Sequence, residues 1–421
     1  MKKAINLLLA LVISAGLFAA CGSQSGTQSP SQGDTQQSTI SDADSQGSGE
    51  PVKLTIWHEG DATIADTIQQ QLNDIPGVQA TLERKEQLAN ALKLAGNDPN
   101  SAPDMYLWAH DKIGVFAEMG ILAPVTDILG ESELADMLPM AIDAGTYEGS
   151  LYQLPIYFET LLFMYNKALM SEPPATTDEL LAAMKANSDS DRYAFVEMHS
   201  TAYYAAAWIQ GFGGYIINSE KKPGLDQQGT IDALAYHSEF VPYMSADGEY
   251  NTVTTLFTEG KAASIISGPW LVPGLKAAGM DLGIAPMPKL PNGNPLTPFS
   301  GVQGVSVLKH AAQDAGKVDA VGKVLRALAE PDTGIALAKA ANSAPVNTKA
   351  YDDAEVAANE MIAVMRQTAD NVIPMPNVPE MDVMWSVTET ALVSINKNEG
   401  EAAAVCASAQ KDALEQIANM Q

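Results

Sequence analysis

A mixture of carboxylates, one amine and large rings stands out in this sequence: Glu59, Asp61, Asp111 and Glu159, then Lys112, then Trp108, Tyr203, Tyr204, Trp270 and Trp385. An ionised carboxylate accepts hydrogen bonds from two neighbouring hydroxyls, and such charge-assisted bonds are the stronger kind. Flat aromatic rings offer apolar walls on which the C–H face of a pyranose can stack. Pockets that combine apolar walls with a few placed polar groups are the usual form of a small-ligand site. Sugars therefore suit this set of residues. Each residue also has a plainer reading. A Trp or Tyr at a strand end can be core, a loop acid can be a helix cap, and two carboxylates across a cleft could be the acid and nucleophile of a glycoside hydrolase. His58 and His110 read as structural.

The elements that must hold these residues are legible from periodicity. Val52–Trp57 alternates as a strand, Ile64–Leu72 follows with helical spacing, and Val78–Leu82 is a second strand. Asp104–Trp108 reads as a short buried strand and Lys112–Met119 as a helix. Alternating strands and helices predict βαβ units and a mostly parallel sheet. Glu59 and Asp61 then lie on one strand exit, and Trp108, Asp111 and Lys112 on another, where ligands of such sheets bind. Farther on, Thr177–Ala186 opens with Thr177 before Asp178 and Glu179 as a helix start. Ala262–Ser267 is a strand leading into Gly268-Pro269-Trp270. Val318, Val321, Leu325 and Leu328 mark one helix face, and Ala354–Ala369, Met381–Ile395 and Glu401–Ala418 are helical.

Composition narrows the function classes. The formal charge is −27, and a surface so acidic lacks the basic footprint that nucleic acid or anionic lipid requires. Neither an HExxH run, a Walker loop nor a GxSxG elbow is present, and five dispersed His with two Cys give no metal-ligand spacing. Neither a cofactor nor a metal is expected. The first 20 residues carry Lys2 and Lys3, an apolar run and Ala19-Ala20 before Cys21, which is the pattern of a secretory signal. Leu17-Phe18-Ala19-Ala20-Cys21-Gly22 resembles a lipobox, with Phe18 where a small or aliphatic residue is more usual. It implies a lipid-anchored protein on the outer face of the cytoplasmic membrane; two acyl chains on one Cys suffice for stable anchoring. Residues 22–50 are rich in Ser, Gln, Gly and Thr without an aromatic, the composition of a disordered tether.

Along the body the motifs resemble, in order, the maltose/maltodextrin-binding proteins, extracellular solute-binding lipoproteins of ABC sugar importers. The matches are Leu54-Thr55-Ile56-Trp57 with Gly60-Asp61, Leu107-Trp108-Ala109-His110-Asp111-Lys112, and Leu154-Pro155-Ile156-Tyr157-Phe158-Glu159. They continue through Tyr203-Tyr204 with Gly213-Gly214-Tyr215, Ser267-Gly268-Pro269-Trp270, Pro298-Phe299-Ser300-Gly301-Val302, and Met375-Pro376-Asn377 with Trp385. The resemblance adds Met375 to the ligand-binding set and implies a periplasmic-binding-protein-like α/β fold of two lobes with a hinge and an interlobe cleft. It divides the chain into a signal peptide (1–20), a lipidated Cys21 with its linker (21–50), an N-terminal lobe (51–158 plus 303–354) and a C-terminal lobe (159–302 plus 355–421). Crossings are expected near Tyr157–Leu162, Phe299–Gly304 and Asp353–Glu360. It further implies a monomeric, non-enzymatic protein that takes maltooligosaccharides or related α-glucans and delivers them to ABC permease subunits. Four positions depart from the family pattern: Ala62 replaces a Lys, Lys112 an Arg, Thr201 a Glu and Ser386 an aromatic. Lys lacks the two-pronged grip of Arg, so these changes bear on which oligosaccharide is bound.

Overall fold

The structure, a computed structural model, describes residues 50–189, 191–368 and 372–420. The signal peptide, Cys21 and the tether up to residue 49 lie outside the described residues. In the body, β1 (Val52–His58), α1 (Ala62–Leu72), β2 (Val78–Arg84), α2 (Leu88–Ala95), β3 (Met105–Ala109) and α3 (Ile113–Glu118) follow in the expected order. A 3₁₀ turn at His110–Lys112 separates β3 from α3. β1 alternates because only one face of its early residues meets the core; Leu54 and Ile56 are buried against Ile64, Ile68 and Leu72 of α1. β4 (Leu154–Thr160) is buried along its whole length, which explains an uninterrupted apolar run ending in two polar residues. Each aliphatic side chain so buried contributes roughly 1.5–3 kcal/mol.

The next strand, β5 (Leu162–Asn166), belongs to a different sheet, with Leu161 alone between it and β4. β5 sits between β6 (Ser264–Ser267) and β7 (Leu282–Ala285), antiparallel to both. The chain returns through β8 (Phe299–Leu308), whose Ser300 lies opposite Thr160 of β4. In the larger sheet β4, β8, β3, β1 and β2 are neighbours in that order. Parallel pairing holds for β1 with β2 and β3, whereas β8 runs antiparallel to both β3 and β4. The expected mostly parallel sheet is therefore mixed. The reason is the path: β4 carries the chain out of this sheet and β8 brings it back beside it, so the two must oppose each other.

Helices complete the two main cores, and α2 and α3 close a smaller third one around Tyr106 and Phe116. α7 (Val318–Ala329) presents Val321, Leu325 and Leu328 to the larger sheet, as its spacing predicts. The smaller sheet is covered by α4 (Thr177–Asn187), α5 (Ala202–Gly211), α6 (Gln228–Ser238), α9 (Met381–Asn396) and α10 (Ala402–Ala418), with α8 (Pro331–Ala341) back on the first core. The fully buried Trp208 of α5 stands at 4.9 Å from the ring of Phe240 within the second core. Local starts differ from the sequence reading in three places. α4 is capped by Thr176, not Thr177: its hydroxyl accepts from Glu179 N while Glu179 reaches back to Thr176 N. The run from Ala354 breaks into Ala354–Ala357 and Glu360–Thr368, because Asn359 Oδ1 accepts from Met361 N and Ile362 N and restarts the helix. β6 begins at Ser264, two residues later than expected.

Candidate functional site

The exit of β1 resolves two of the acids. Glu59 turns toward α2 and accepts from the backbone N–H groups of Gln87 (2.8 Å) and Leu88 (2.9 Å). Gln87 is in the left-handed region (φ 53°), a strained setting for a residue with a Cβ, and the bond to Glu59 helps to hold it there. Asp61 caps α1 by accepting from Thr63 N at 2.7 Å and stays exposed. Both acids thus carry the plain helix-capping role, with Asp61 still facing solvent.

At the exit of β3 the side chains form a charged relay. Asp111 is buried, and Lys112 Nζ lies 3.2 Å from its Oδ2 while also donating to Asp382 at the start of α9. Lys93 of α2 reaches the other oxygen of Asp382 at 2.7 Å. Burial works against the Lys112 ammonium, but Asp111 and Asp382 outweigh it and its pKa is raised. Burial likewise works against the Asp382 carboxylate, and Lys112 and Lys93 reverse the balance and lower its pKa. Both groups are held ionised. Trp108, half-buried, has its carbonyl fixed by Gln153 Nε2 at 2.9 Å.

His110 holds this wall to two other segments. Its Nδ1 accepts from Val302 N (3.1 Å), which leaves Nε2–H to donate to the Met375 carbonyl (2.8 Å). Burial holds its pKa below the usual histidine value, so the imidazole is neutral. The Met375 segment is pinned further: Met375 N donates to Ser300 O, Gly114 N donates to Asn377 O, and Asn377 Nδ2 donates to the carbonyls of Ala144 and Thr146. A Cβ on Gly114 would stand 2.2 Å from Asn377 O, so only glycine permits this approach.

Glu159 sits opposite Gly301 on the strand pair that leaves and re-enters the sheet. Burial pushes its pKa up to about 7, a distant bond from Gln303 Nε2 (3.5 Å) opposes this, and the charge of Asp61 adds to it. The Tyr203 phenol is raised by burial and by the charges of Glu159, Tyr204 and Asp111. A chain of rings continues from there. Tyr203 is 6.4 Å from Phe299, and Phe299 meets Trp385 edge-on at 6.1 Å. Tyr204, by contrast, is 5% exposed and packs as core. Trp270 folds back over Gly268, where a Cβ would fall 2.0–2.4 Å from its ring carbons. Burial raises the Tyr250 phenol, and the Trp270 side chain opposes that shift.

The structure thus links Glu159 to Asp61 and Tyr203 by charge, Tyr203 through Phe299 to Trp385 by ring contacts, and Asp111 through Lys112 to Asp382 by ion pairs, with Met375 beside Gly301, the residue opposite Glu159. Glu59 and Tyr204 are turned to structural tasks. Sequence reasoning missed Asp382, Gln303 and Tyr250. Asp382 had a signal, since it precedes Trp385 by three residues and so shares its helix face. Among the described residues, no group of three or more His, Cys, Asp or Glu is placed to hold a metal ion, and no helix is long and apolar enough to cross a membrane.

A sequence profile for bacterial extracellular solute-binding proteins matches residues 63–364. The chain is 33% identical to a maltotriose-binding protein of Pyrococcus abyssi, over 84% of this chain and 78% of that one. It is 28% identical to a maltodextrin-binding protein of Bacillus subtilis, over 93% and 92% of the respective chains. Its fold superposes with a TM-score of 0.79 on the maltose/maltodextrin-binding domain from Bdellovibrio bacteriovorus bound to maltotriose; the two are 23% identical, and the match covers 87% of this chain and all of that domain.

Proposed function

Because the chain belongs to the bacterial extracellular solute-binding protein family, we propose that it captures maltooligosaccharides or related α-glucans for an ABC importer and hands them to the permease. The observation that carries this reading is the ring series Tyr203–Phe299–Trp385 set beside the buried Glu159 carboxylate on the crossing strand. The rings supply stacking faces, and Glu159, Asp61 and Asp111 supply acceptors for hydroxyls. Lys112 donates to a hydroxyl from a position fixed by Asp111 and Asp382. Met375 fills the base of the site beside Gly301, and Trp108 and Trp270 close its ends. On this reading the lobes comprise 51–158 plus 303–354 and 159–302 plus 355–421, in keeping with the sheet change at Leu161. Sugar binds between them and favours the closed form by its differential affinity for it. The protein works as a monomer, without cofactor, held to the outer face of the cytoplasmic membrane through a lipid on Cys21; metabolic palmitate labelling that is lost in Cys21→Ser tests the anchor.

Calorimetric titration with maltotriose tests the site. Trp385→Ala and Trp270→Ala are each expected to weaken binding at least about tenfold, or ~1.4 kcal/mol, with thermal unfolding still cooperative. Unchanged affinity in both variants refutes the site. A thermal-shift panel running from maltose through longer α-glucans to other oligosaccharides ranks the ligands. One observation favours a second reading: a buried acid with a pKa near 7 is also what a glycoside hydrolase uses as its proton donor. Incubation with maltoheptaose decides between them, and no shortened products are expected.

A further inference from the structure

Two helices rooted in different cores meet at Asp382. α2 is fastened to the exit of β1 by the bonds from Gln87 N and Leu88 N to Glu59, and its Leu88 and Leu92 enter the core that holds Tyr106 of β3. α9 is rooted in the core of the smaller sheet, where Met381 and Met384, which flank Asp382, are buried. Lys93 Nζ crosses from α2 to Asp382 Oδ2 at 2.7 Å, and Lys112 Nζ holds Oδ1 from the turn after β3. Among the described residues, the ion pairs that join the two proposed lobes end on this one carboxylate, Lys339–Glu355 at the lobe boundary aside.

The two arms of this junction differ in what else they do. Lys112 also pairs with Asp111 and belongs to the proposed sugar site. Lys93 lies outside that set, and its side chain is 38% exposed against 16% for Lys112. A pair as exposed as Lys93–Asp382 is weakened by salt and adds little to the stability of a rigid body. Between two bodies that swing apart it has a second effect. It is made in the conformation of the structure and is lost when the lobes separate, so it raises the fraction of molecules competent to hold a ligand between them. The affinity for a neutral sugar then depends on ionic strength, although the sugar carries no charge.

We infer that Lys93 sets sugar affinity without touching the ligand, by clasping Asp382 and so holding the two lobes around the sugar. The inference rests on the sugar-binding reading above and adds a source of affinity outside the pocket. Calorimetric titration of the intact protein with maltotriose at about 0.02, 0.1 and 0.5 M NaCl tests it. Lys93→Met keeps the apolar stem and removes the charge. It should bind about two- to fivefold more weakly than the wild type at the lowest salt, and the ratio should shrink toward one at the highest. Lys323→Met removes an exposed cation of the same lobe that pairs within its own helix with Asp319, and it should match the wild type throughout. Equal affinities of Lys93→Met and the wild type at low salt overturn the inference and leave the cleft assignment standing. So does a deficit that persists unchanged at high salt, since lost packing or a lost hydroxyl contact is not screened. The same deficit in Lys323→Met also overturns it, as an effect of overall charge. Absence of maltotriose binding in the wild type overturns the sugar reading and the clasp together.

Discussion

Glu159→Gln separates what this carboxyl does for the ligand from what it does to the fold. Burial raises its pKa from 4.5 to about 7. Below pH 4.5 the carboxyl is protonated in both folded and unfolded chains and imposes no penalty. Between 4.5 and 7 the unfolded chain releases a proton that the folded chain keeps, so stability falls with rising pH; above 7 both are ionised and the loss is complete. At ~1.4 kcal/mol per pKa unit the total is about 3 kcal/mol. Gln occupies the same volume and carries no charge, so the variant lacks this term and becomes the more stable protein above pH 7. Urea denaturation of both proteins at intervals from pH 4 to pH 8 measures the difference curve. It should fall steadily across that window and then level off. Parallel stability curves would refute the claim that Glu159 is buried against its ionised form. The same substitution should weaken maltotriose binding at pH 8, because the amide offers one acceptor where the carboxylate offers two.

Three further outcomes follow from the geometry. His110→Leu strands Val302 N and the Met375 carbonyl and should lower stability by roughly 2–5 kcal/mol in urea; because burial depresses the folded imidazole's pKa, the wild type's His110 contribution is complete above pH 6.5 and declines as pH falls below it. Asp382→Asn leaves Lys112 half-buried with Asp111 as its remaining carboxylate and should cost about 1–3 kcal/mol; adding Lys112→Met strands the buried Asp111 carboxylate and should destabilise further, as a double-mutant cycle in urea would show. Gly268→Ala drives a methyl into the Trp270 ring and should weaken sugar binding as much as Trp270→Ala does, with a changed indole fluorescence reporting the displaced ring.

How far the sequence reached depended on distance along the chain. β1, β3 and α7 were readable because their cores are met by residues two, three or four apart, and the strand exits delivered Asp61, Trp108 and Asp111 to the expected places. The cap of α4 was also encoded locally: Thr176 and Glu179 have the capping-box spacing, which Thr177 lacks. Long-range facts had no such trace. Glu59 reads as a free acid until Gln87 and Leu88 arrive to take both of its oxygens, and nothing near Lys112 in sequence announces its bond to Asp382, 270 residues away. The mixed sheet was hidden for the same reason. Local alternation reports a strand but not its neighbour, and the neighbour of β4 is the returning β8.

Charge ties these observations to the kind of ligand. The chain's excess of acid, which argued from composition against nucleic acid, persists at the proposed site in Asp61, Asp111 and Glu159. Lys112, the cation of that wall, is already shared between two carboxylates and so has little positive field left for a ligand anion. A phosphate or carboxylate entering there would lose its hydration without gaining a counterion, whereas a hydroxyl can donate to the acids and remain neutral. The rings add affinity in proportion to the number of pyranose faces they cover and do not distinguish one α-glucan from another. Selection among glucans therefore has to come from the polar positions around the rings, among them Lys112 and Thr201, where the sequence departs from the pattern it resembles.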